Sequence, residues 1–186
     1  FIKLIKNIDK FNIKGKASFS TYLVTIAKNC YIDYLRRNRI GALIVIERDT
    51  SLSEYIERSK KIYAEISNEL LDAIFFPDNP LHDGGVIIQG DKISCAGAVF
   101  PTTVDMKFSK RLGTRHRAAI GISEESDCLA IIVSEETGRV SLAVGGKLNY
   151  NLSVDELKLM ILDELMPKSE TFVVESDEED DIDEIN

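Results

Sequence analysis

Histidine is scarce in this 186-residue chain and tryptophan is absent; both imidazoles, His82 and His116, fall within two short stretches. Cysteine is nearly as sparse. Cys30, Cys95 and Cys128 are odd in number, widely spaced and without a CxxC, so neither a disulfide framework nor a zinc site is indicated, and reduced, buried thiols are expected. No apolar run approaches the roughly 20 residues that span a bilayer, which excludes a direct membrane span in this sequence. No signal-peptide pattern opens the chain, and internal repeats are missing. The first residue is Phe1 and not Met, which leads us to expect a trimmed piece of a cytoplasmic protein. An upstream membrane segment or further helices would then precede it.

What is present suits a globular domain. The composition is 44% hydrophobic, and the length allows one ordinary core with a small appendage. The net charge of −8 conceals three regions. Residues 1–40 hold nine Lys and Arg against two acids, residues 41–168 hold fourteen against twenty, and residues 169–186 hold nine acids and no base. We divide the chain accordingly into helices over 1–36, a domain over 37–166, and an acidic tail over 167–186. The tail has no packable face and is expected to be disordered.

Taken in order, Phe1–Asn12 reads as a short amphipathic helix, and Ser18 caps a second one. The apolar face of this second helix carries Phe19, Tyr22, Leu23, Ile26, Cys30 and Tyr34. Ala42–Glu47 is a continuous apolar run, hence a buried central strand. Thr50–Ile56 and Ser59–Ser67 read as turns and short helical pieces. Ser67 caps a helix over Asn68–Phe75, stopped by Pro77 and Pro80. Val86–Gln89 and Lys92–Phe100 form a hairpin across Gly90-Asp91. Cys128–Ser134 and Arg139–Val144 form another, Gly145-Gly146 turns again, and Ser153 to Glu156 is a capping box before the helix Val154–Leu165. The order implies an α/β fold with a mixed sheet flanked by helices.

Two motifs carry chemistry. In LHDGG, Leu81–Gly85, an imidazole and a carboxylate stand beside two glycines at the mouth of a strand. Gly84 and Gly85 let the backbone turn sharply and approach a ligand closely. In GTRHR, Gly113–Arg117, Thr114 is expected to cap a helix whose N–H groups, with Arg115 and Arg117, favour an anion. Each motif alone reads equally well as a turn or a solvated basic patch. Together they describe a phosphate site facing a metal-binding or general-base carboxylate.

With a third motif, SEETG at Ser134–Gly138, these stretches resemble the diadenylate cyclase (DAC) domain, in particular that of the membrane-associated cyclic di-AMP synthases of Gram-positive bacteria. The likeness runs from about Arg37 to about Leu165. It implies a bent mixed sheet flanked by helices, ATP as substrate, a divalent metal (Mn²⁺ or Mg²⁺), and two facing domains in a homodimer or larger homo-oligomer. By that resemblance Asp83 is the catalytic carboxylate and a metal ligand. Gly84, Gly85, Thr114, Arg115, His116, Arg117 and Ser134 bind ATP, and Glu136 is either a second metal ligand or a turn acid. His82 adjoins the site or packs behind it, and Phe100 or nearby backbone is the candidate surface for adenine. The family's usual Asp-Gly-Ala is Asp83-Gly84-Gly85 here, and the missing methyl should loosen the turn. Residues 15–39 also resemble part of the second conserved region of sigma factors. We prefer a packing or assembly role for them over contact of residues 1–40 with RNA polymerase or nucleic acid. An ATP-binding regulatory module without turnover, or a transcription-associated protein, are the rival functions.

Overall fold

A computed structural model describes residues 32–104 and 112–165. The expected helices over residues 1–30 and the acidic tail lie outside them. A helix over residues 32–38 (α1) opens the described chain. It buries Ile32 and Leu35, whereas Tyr34, read above as part of the apolar face, is 45% exposed. There follow β1 (Ala42–Ile46), α2 (Ser53–Glu57), β2 (Lys60–Glu65), α3 (Asn68–Phe75), β3 (Gly85–Gln89) and β4 (Lys92–Ala98). The second half contains α4 (Thr114–Glu125), β5 (Leu129–Val133), β6 (Val140–Val144), β7 (Lys147–Leu152) and α5 (Val154–Leu165).

Among the described residues the strands form one sheet in the order β2-β4-β3-β1-β5-β6-β7. Only β1 and β3 pair in parallel; every other neighbour is antiparallel, so the sheet is mixed. Its centre follows from the apolar runs. All five residues of β1 and of β5 are buried, because both faces of these strands are covered. Alternation divides β1 between two cores. Ala42, Ile44 and Ile46 meet Ile32 and Leu35 of α1, Leu71, Ile74 and Phe75 of α3, and Leu157 and Ile161 of α5. Leu43 and Val45 face the opposite way, towards Ile56 of α2, Ala119, Ile120 and Ile122 of α4, and Phe100. The caps hold as the residue types dictate. Ser67 accepts from Leu70 N, and Ser153 and Glu156 exchange backbone bonds at 2.8 and 3.2 Å.

One strand contradicts the reading of the sequence and another goes beyond it. Residues 60–65 are the strand β2 and not turns or short helical pieces, and 147–152, where the sequence indicates no element, form β7. Both are sheet edges, where Lys60, Lys61 and Lys147 are exposed and no continuous apolar run is needed. Each is further masked by a kink, Tyr63 at φ 51° and Asn151 at φ 60°.

Candidate functional site

The loop before β3 is built from its backbone. Asn79 organises it: Nδ2 donates to Ala73 O at the end of α3, Oδ1 accepts from Leu81 N at 2.9 Å, and its carbonyl accepts from His82 N at 3.0 Å. The same carbonyl lies 2.5 Å from His82 Nδ1, which therefore donates to it. Gly84 follows at φ 122°, and a Cβ there would stand 2.7 Å from both Ala98 O and Gly97 C. A left-handed backbone pressed against a neighbouring strand admits only glycine. This places Asp83, exposed, at the mouth of β3.

Gly85 has a different reason. Its backbone is ordinary strand, but a Cβ would lie 2.7 Å from Phe100 Cε2 and 3.1 Å from Leu43 Cγ. The space of the missing methyl is filled by the Phe100 ring, which also packs on Tyr55 with centroids 5.4 Å apart. The turn is therefore not loosened, contrary to the expectation from sequence.

The opposite wall is the start of α4. Its cap is Gly113, whose carbonyl accepts from Arg117 N at 3.2 Å, and Thr114 is the first helical residue without a side-chain cap bond. The expected Thr114 cap is corrected: Gly113 adopts the extended geometry (φ −66°, ψ 171°), and Thr114 instead lines the cleft. Arg115 crosses the cleft to both loops. Its Nη2 donates to His82 O at 3.1 Å and its Nη1 to Glu135 Oε2 at 2.7 Å.

Between these walls lies a cleft of about 410 Å³, lined by His82, Asp83, Gly84, Phe100, Thr114, Arg115 and Glu135 among others. Of the residues singled out in the sequence, Asp83, Gly84, Thr114 and Arg115 thus meet at one cavity, with Gly85 beneath Phe100 in its floor. The others do not line it. His116 is buried, its ring 6.0 Å from that of Tyr150, and burial pushes its pKa down against the pull of Glu136. Arg117 Nε and His116 Nε2 are buried without a partner among the described residues. Ser134 accepts from Thr137 N at 3.3 Å in the turn after β5, and Glu136 is exposed on that turn. Sequence reasoning missed Glu135 and Asn79. The first was one of two adjacent acids, and only the turn's geometry decides which faces the cleft.

The Asp83 carboxylate at the cleft is an oxygen donor of the kind that a hard divalent cation takes. Among the described residues no group of three or more His, Cys, Asp or Glu converges. Mg²⁺ binds in this way, through one or two carboxylates with substrate phosphates completing its shell. No helix among the described residues is long and apolar enough to cross a membrane.

Residues 31–148 match the DAC family model, described as DisA bacterial checkpoint controller nucleotide-binding. The chain belongs to the DAC family. It is 50% identical to the diadenylate cyclase of Listeria monocytogenes over 133 residues, 72% of this chain and 49% of that protein. It is 51% identical to the cyclic di-AMP synthase CdaA of Bacillus subtilis over 130 residues, 70% and 48% of the two chains. The chain thus spans about half the length of these curated relatives. A crystal structure of a double mutant of DacA from Staphylococcus aureus superposes with a TM-score of 0.74 at 44% identity, covering 76% of this chain and 95% of that one. The DAC fold read from sequence is the fold observed. Residues 1–40 match the model for Sigma-70 region 2, in line with the second resemblance.

Proposed function

We propose that this chain is a diadenylate cyclase that converts two ATP molecules into cyclic di-AMP and two pyrophosphates. The observation that carries this reading is one cleft with the Asp83 carboxylate on one wall and the cationic start of α4 on the other. Its volume is within the range of small-molecule sites. The 3′-oxygen of one ATP forms a bond to the α-phosphorus of the other. The bond from that phosphorus to the bridging oxygen breaks, and pyrophosphate leaves. The hydroxyl proton passes to the Asp83 carboxylate or to water. Thr114, Arg115 and the free N–H groups at the start of α4 hold the triphosphate, with Arg117 and Ser134 assigned to it by family resemblance. A Mg²⁺ or Mn²⁺ ion held by Asp83 would neutralise phosphate charge, with Glu136, which does not line the cleft, assigned to it by family resemblance alone.

Two mutually attacking hydroxyls need two sites, and one chain supplies one set of motifs. A two-fold axis between facing copies meets that requirement with identical surfaces. Val99, itself in the lining of the cleft, and Val104 just beyond it are 80% and 92% exposed and support an apolar contact there. ATP as substrate and the buried free thiols of Cys95 and Cys128 support a cytoplasmic site of action. The test is incubation with ATP and Mn²⁺ over a range of enzyme concentrations, followed by mass analysis. Cyclic di-AMP should form, with specific activity rising until the dimer saturates; no product at any concentration would reject the reading. The Sigma-70 region 2 match supports a second reading for residues 1–40 alone, polymerase contact, which a pull-down with that segment tests.

A further inference from the structure

The Arg115 guanidinium is already engaged before any ligand arrives. Nη2 is held by His82 O and Nη1 by the Glu135 carboxylate, while Nε is buried without a partner among the described residues. The pair lies on the backbone of Gly41, where a Cβ would meet Arg115 Nη1 at 2.6 Å and Glu135 Oε2 at 2.7 Å. The two partners differ in freedom: the Arg115 side chain is 18% exposed and that of Glu135 65%. Arginine is therefore the fixed member, and Glu135, at the rim of the same cleft, is the one able to swing away.

A carboxylate and a phosphate oxygen compete for the same guanidinium donors. Resting on the assignment of the cleft to ATP, we infer that Glu135 is a gating residue that occupies the triphosphate's place on Arg115. ATP must exchange its phosphate for this carboxylate, and Glu135 closes again when pyrophosphate leaves. The exchange acts alike on every anion that needs Arg115: each binds only while Glu135 is swung away, and each loses the same factor in affinity. Glu135 thus weakens retention of the product as well as of the substrate, and a ligand that leaves Arg115 alone escapes the gate.

Two probes test this by calorimetry: inorganic triphosphate, which lacks the nucleoside, and cyclic di-AMP. Each is titrated into the wild-type chain and into Glu135→Gln, which keeps the shape and removes the charge. Both probes should bind the variant more tightly, by roughly two- to fivefold for an ion pair of this exposure. The gain should be of similar size for the two probes and should shrink at high salt. The inhibition constant of cyclic di-AMP for turnover should fall correspondingly. In an Arg115→Ala background the same substitution should change neither affinity, which a general repulsion of anions by the Glu135 charge would not predict. Unchanged or weaker binding of both probes by Glu135→Gln overturns the gate, and weaker binding would make Glu135 a strut that holds Arg115 in place. Wild-type turnover of ATP separates the two ideas: if cyclic di-AMP forms while Glu135→Gln binds like wild type, the cyclase assignment stands and the gate falls. If no cyclic di-AMP forms, the triphosphate titration still decides the gate.

Discussion

The two walls of the cleft are made in opposite ways. The LHDGG wall is backbone: Asn79 ties it to α3, Gly84 turns it at φ 122°, and Gly85 yields its side-chain space to Phe100. Asp83 is the one charge it presents to the cleft. The wall formed by the start of α4 and the turn after β5 is made of charged side chains, Arg115 and Glu135, held by ion pairing. Errors on the first wall should therefore act through stability and shape, and errors on the second through affinity and salt.

The largest expected effect is the exception that joins them. Asp83→Asn keeps the volume of the side chain and the fold of its turn, but removes the charge proposed to accept the proton. Turnover should fall by at least about 100-fold, the scale of a lost general base, while a non-cleavable ATP analogue still binds. Near-normal turnover would remove Asp83 from the chemistry.

Next is Gly84→Ala, the sharpest probe of the backbone wall. The substitution combines a strained φ with a methyl driven into Ala98 O and Gly97 C. About 2–3 kcal/mol of stability should be lost, read from denaturant midpoints, together with activity. Arg115→Ala, on the other wall, should behave differently. Its unfolding midpoint should move little, whereas affinity for the ATP analogue drops by about tenfold with the loss of a charge-assisted contact. If both variants lost stability equally, the distinction between the walls would not hold.

How much of this was written in the sequence follows the same division. The buried runs ALIVI and LAIIV announced β1 and β5, and Ser67 and Ser153 announced their helices, because burial and capping leave local patterns. The edge strands β2 and β7 leave none, since one side of each faces solvent and both are kinked. The motif residues Asp83, Gly84, Thr114 and Arg115 were legible as a group and do line one cavity. Their bonding was not. That Gly113 and not Thr114 caps α4, and that Glu135 rather than Glu136 reaches Arg115, depends on backbone directions that a residue's type does not encode.

Gly85 gives the smallest effect and the finest test of the comparison. Gly85 has ordinary strand backbone, which tolerates a methyl; what resists it here is the Phe100 ring, 2.7 Å from where a Cβ would stand. Gly85→Ala must push that ring from the cleft floor, and Tyr55 on its other side limits where it can go. Overpacking of one methyl in such a place costs about 1 kcal/mol, towards the lower end of its usual range because the ring borders open cleft. A displaced Phe100 would narrow the cleft at its apolar floor, away from Arg115 and Glu135. KM for ATP should therefore rise a few-fold with kcat nearly unchanged, and affinity for inorganic triphosphate should stay as it was. That split identifies the floor as an adenine surface. A shift in triphosphate affinity of the same size would mean that the two walls are mechanically one, and that Phe100 communicates with the ion pair across the cleft.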